Sequence, residues 1–136
     1  RGVAETARGR RSGRIGDRMS IRTDNQTVID QLAESSDLID RVTTDSAQVT
    51  PPSGRVHVFL SSPSITWPNW STHLCAYDAW IVAGTVSSQA EALDLIYQVL
   101  QDIEDKQLVN VTDAEPAGWT RNGSKLAAYR ITINKE

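Results

Sequence analysis

The chain has one cysteine, Cys75, among its 136 residues. No intrachain disulfide can form, which excludes a small disulfide-stapled scaffold. Histidine is nearly as scarce, with only His57 and His73. His73 shares a strand face with Cys75 and Tyr77, but a zinc site ordinarily takes about four ligands, usually with a second Cys or His pair. That pair is missing, so the expectation is no metal and no cofactor. No nucleophile-elbow pattern and no His-Glu-x-x-His helix occurs, so no catalytic residue is assigned and the chain is expected not to be an enzyme. No run approaches the roughly 18 apolar residues of a membrane span, and the basic start has no apolar stretch behind it. A membrane segment and a secretory signal are therefore not expected. Four Asn-x-Ser/Thr triplets, at Asn25, Asn69, Asn110 and Asn122, read as chance in a chain rich in Ser and Thr.

Charge is present but unevenly placed. Residues 1–22 hold seven arginines against Glu5 and Asp17, a net +5, which leaves −8 for the remainder of a chain whose total is −3. This predicts a basic flexible arm over 1–22, with Arg8, Arg10, Arg11 and Arg14 as its contact residues, and a single acidic domain over 23–136. The arm's glycines make no phosphate-binding fingerprint, because no strand precedes them.

The longest legible element is a helix from Ser87 to Asp105. Ser88 and Glu91 form a capping box, and Leu93, Ile96, Leu100 and Ile103 recur at three- and four-residue steps. Asp24 is the expected cap of a shorter helix ending at Ser35-Ser36, with Val28, Ile29 and Leu32 on its apolar edge. Strands are expected over 38–44, 55–60, 72–83, 107–113 and 126–134. Pro51-Pro52-Ser53-Gly54, Pro63 with Pro68, and Pro116 with Gly118 mark loops between them. The fold class is α+β: an antiparallel sheet of about four to five strands with two helices packed on one side, in the order α-β-β-β-α-β-β.

Four of the eight aromatic residues are tryptophans. Trp67 and Trp70 fall in a proline-bounded loop, and Trp119 in a second turn-rich stretch. Tryptophan is favoured at the desolvated centre of interfaces, so these three are the candidate contact residues. Nucleic-acid binding by the sheet would rest on Phe59, Tyr77 or Trp80 alone, without the aromatic glycine-rich strand signature of RNA-recognition motifs.

The layout over residues 24–136 resembles the tail terminator proteins of long-tailed bacteriophages. The resemblance rests on the order of Asp24-Asn25-Gln26, Asp40-Arg41-Val42-Thr43 and Arg55-Val56-His57-Val58-Phe59-Leu60. After these, Ala79-Trp80-Ile81-Val82-Ala83 feeds into Ser88-Gln89-Ala90-Glu91, and Ala128-Tyr129-Arg130-Ile131-Thr132-Ile133 closes the chain. What it implies is a structural virion protein of the tail and neck, assembled in the host cytoplasm. Such a protein forms a six-membered ring that caps the tail tube and joins it to the head. The implied partners are further copies of the chain, the tail tube protein and a neck or head-completion protein, with passing contact to DNA. The alternatives are another neck or tail component, such as a stopper or tube protein, and an α+β module that binds nucleic acid through the arginine arm.

Overall fold

The computed structural model describes residues 20–84, 88–121 and 123–135. In chain order the elements are α1 (Ile21–Ser35), β1 (Ile39–Thr43), a 3-10 turn (Ser46–Gln48), β2 (Val56–Leu60), β3 (Ser64–Asn69) and β4 (Thr72–Ala83). Then come α2 (Gln89–Lys106), β5 (Asn110–Arg121) and β6 (Ser124–Lys135). The class is α+β, with two helices and one sheet of six strands.

β4 is the axis of the sheet. Its residues alternate between faces, and it is long enough to take three neighbours. β2 pairs with its second half, Val56↔Ala83 through Leu60↔Ala79. β3 pairs with its first half, Ser64↔Ala76 through Asn69↔Thr72, and β6 runs along the other side from Cys75↔Lys135 to Val82↔Ala128. β5 closes that side against β6, and β1 lies outside β2, giving the order β1-β2-β4-β6-β5 with β3 off the path.

Both helices cover one face. On β4, Cys75, Tyr77, Ala79, Ile81 and Ala83 point to it, and they meet Val56, Val58 and Leu60 of β2 and Ile131 and Ile133 of β6. Val28 and Leu32 from α1 and Ala92, Ile96, Val99 and Ile103 from α2 complete this core. These buried aliphatic side chains, at about 1.5–3 kcal/mol each, are the main favourable contribution set against chain entropy. The helices also tie to one another: Ser36 Oγ donates to Asp102 Oδ2 at 2.7 Å, and Lys106 Nζ donates to the Glu34 carbonyl at 3.0 Å. The ammonium thus meets an orphan carbonyl at the end of α1.

The opposite face carries a smaller cluster. Val49, from the connection between β1 and β2, packs on Val82 and Ala128, with Phe59, Trp80, Trp119 and Leu126 around them.

Several expectations are corrected. The sheet is mixed rather than antiparallel, because β1 and β2 run parallel (Ile39↔Val56, Thr43↔Phe59). Residues 44–55 supply the dozen or so residues such a crossover requires. Residues 64–69 are not loop: Pro68 is tolerated because β3 is an edge strand, and it sits at the register shift between Thr66 and Asn69. β5 likewise runs through Pro116 and Gly118 to Arg121, where a strand of 107–113 and a loop are expected from sequence. The arm does not extend to residue 22. Ser20 is the cap of α1, its Oγ accepting from the Thr23 amide at 3.1 Å, so Arg22 is helical and Asp24 lies inside the first turn.

On α2, the cap at Ser88 is as expected, its side chain accepting the Glu91 amide at 3.2 Å. Ser87 lies outside the described residues. The buried line is Ala92, Ile96, Val99 and Ile103, with Leu95 and Leu100 beside it and Leu93 rotated off it.

Candidate functional site

Two regions of the described chain carry chemistry or apolar surface beyond what the core requires. One is the set of tryptophans, and the other is a polar cluster beneath the first turn of α1.

The tip where β3 turns into β4 presents Trp67 and Trp70, which are 58% and 96% exposed. The turn between them and β4 is held by Asn69, whose Oδ1 accepts from the Ser71 amide at 3.0 Å and the Ser71 hydroxyl at 2.9 Å. Trp119 is elsewhere. It pairs across to Leu126, beyond the Val82 end of β4, whereas the tip lies at the Thr72 end. A strand of twelve residues separates the two ends by roughly 35–40 Å. Trp119 is half-buried against Phe59, with ring centroids 5.4 Å apart, and Phe59 meets Trp80 at 5.7 Å. The three candidate contact residues therefore form two surfaces, not one. Tyr77, offered with Phe59 and Trp80 as a stacking residue, lies on the helix-covered face and is buried. Arg8, Arg10, Arg11 and Arg14 lie outside the described residues.

Around these rings the open face is polar. Arg130 pairs with Glu115 across β5 and β6, and the Thr132 hydroxyl donates to Asp113 Oδ1 at 3.2 Å. His57 is fully buried on this face. Its Nδ1 accepts the Thr50 amide at 3.0 Å, so Nε2 carries the proton it shares with Asp40 Oδ2 at 2.9 Å. That bond, together with the nearby positive charges, holds the Asp40 carboxyl below its usual range.

The second region joins α1 to β4. Asp24, buried in the first turn of α1, reaches His73, with Oδ2 2.7 Å from Nε2. Cys75 Sγ lies 4.0 Å from the same oxygen. The next residue, Asn25, accepts from the buried Tyr77 hydroxyl. Burial pushes the Cys75 thiol up, more than the Tyr77 hydrogen bond lowers it, and burial also pushes the Tyr77 hydroxyl up. Asp24 Oδ1 is buried and has no hydrogen-bond partner among the described residues. Leaving such an oxygen unpaired costs about 1–3 kcal/mol, more when it is charged. Sequence reasoning placed His73, Cys75 and Tyr77 on one face but missed Asp24, reading it as a helix cap. Its signal was Ser20 four residues earlier, which takes the capping role and releases Asp24 to face inward.

Comparison with protein-family models and with curated proteins finds no match to this chain. No helix among the described residues is long and apolar enough to cross a membrane.

Proposed function

We propose that this chain is a structural virion subunit, a tail terminator that works by packing beside copies of itself in a ring, probing no substrate and carrying out no reaction. The observation that carries the reading is the tip of β3 and β4. Two indoles stand in water there, Trp70 at 96% exposure, on a turn braced by Asn69. Each aromatic side chain can bury about 150–250 Å² once a partner covers it.

A head-to-tail ring needs two different surfaces on each subunit. The tip at one end of β4 and the half-buried rings of Phe59, Trp80 and Trp119 near the other supply two that differ in shape. The outer side of α2 is acidic, with Glu91, Asp94, Glu104 and Asp105 exposed. Such a wall would line a passage for DNA without gripping the phosphate backbone. In this reading the tail tube protein meets one side of the ring and a neck protein the other.

Electron micrographs of the purified protein, alone and with tail tubes, test the proposal. Rings, free or seated on tube ends, are the expected result. A monomer that binds DNA tightly in low salt, and loses that affinity when residues 1–19 are removed with the Ser20 cap of α1 kept, would instead support the arginine-arm module.

A further inference from the structure

The cluster beneath α1 has the donors of a metal site. Asp24, His73 and Cys75 each offer one ligand atom, and these atoms all lie within 4.8 Å of one another. Donors on a tetrahedral zinc ion, at about 2.0–2.3 Å from it, stand roughly 3–4 Å apart, so modest side-chain rotation closes the set. Asp24 adds a second, independent observation. Its side chain is 1% exposed, one oxygen bonds His73, and the other has no partner among the described residues. A buried carboxylate oxygen without a partner among the described residues is a group that a cation or an ordered water would satisfy, and the two donors beside it are those of a cation site.

We propose that Asp24, His73 and Cys75 bind one divalent cation of the zinc class. Imidazole and thiolate donors select a borderline ion over magnesium or calcium, which prefer all-oxygen sites. Three protein ligands leave a fourth position for water, and His73, 19% exposed, marks the side from which it enters. Binding releases the thiol proton to solvent and leaves the imidazole neutral, with the carboxylate and thiolate balancing the ion's two charges. The ion would clamp the first turn of α1 to the end of β4 that bears the tryptophan tip. The proposal does not depend on the ring reading: a monomer would bind the ion equally well.

The test uses the full chain, purified without a metal-affinity tag, stripped with chelator under reducing conditions and titrated with cobalt(II). The expected result is one equivalent bound, with a thiolate-to-cobalt charge-transfer band and the intense visible bands of four-coordination, both bleached by zinc. Cys75→Ser should abolish the charge-transfer band. His73→Gln, whose side-chain amide can still donate to Asp24, should weaken zinc binding by more than about tenfold. Zinc should also raise the unfolding temperature of the wild type and leave that of His73→Gln unmoved. No charge-transfer band in the folded wild type, or zinc affinity unchanged in His73→Gln, overturns the proposal and assigns any binding to exposed carboxylates.

Discussion

His57 fastens the 44–55 connection to the sheet, because one ring nitrogen takes the Thr50 amide and the other meets Asp40 on β1. Replacing it with leucine roughly keeps the volume and removes both hydrogen bonds. His57→Leu is therefore expected to cost about 1–3 kcal/mol in denaturant unfolding. The carboxylates add a pH dependence. Asp40 is held below its ordinary value chiefly by the His57 hydrogen bond, and Asp102 chiefly by the Ser36 hydroxyl, helped by Gln98. A carboxyl whose folded value is depressed contributes stability that is present above its unfolded value and lost as pH falls through its folded one. The unfolding temperature should thus fall as pH drops below about 5, and Asp102→Asn should flatten that fall. None of these pairings was legible from sequence. Asp40 lies 17 residues from His57, and Asp24 lies 49 from His73, so only the folded topology brings them together.

Among the elements, α2 was the most readable. Its cap and its periodicity both speak within one turn of chain, and neither needs a tertiary partner to be seen. What sequence could not place was the middle of the buried line. Ala92 is small and Val99 lies between the leucines and isoleucines of the legible stripe, yet both face the sheet while Leu93 turns away. Ile96→Ala is expected to cost about 2–5 kcal/mol, and Leu93→Ala well under half of that, measured by denaturant melts side by side. The prolines misled for a related reason. Pro68 and Pro116 break central strands but not edge strands, and strand position is not written locally. On β5 the proline and the acidic Asp113 and Glu115 also guard an edge twelve residues long against pairing with another chain. Backbone pairing of another chain along that edge is thereby discouraged.

At the scale of the whole molecule, two helices on one sheet face were foreseeable from amphipathic periods alone. The parallel β1–β2 pair was not, because a twelve-residue connection reads the same whether it returns beside its strand or crosses over. The layering leaves the sheet's other face half covered by Val49 and its neighbours, and it leaves Trp67 and Trp70 in solvent at one end. In the proposed ring these two indoles are the side chains that a neighbouring subunit would cover. Truncating a central tryptophan of an interface costs about 2 kcal/mol of association or more, enough to shift assembly by over an order of magnitude. The most direct test is the particle mass in solution, measured across a concentration series for the wild type and Trp70→Ser together. The wild type is expected to gain mass toward a closed ring while Trp70→Ser, equally well folded, stays at one copy; identical monomer masses for both at every concentration would overturn the ring.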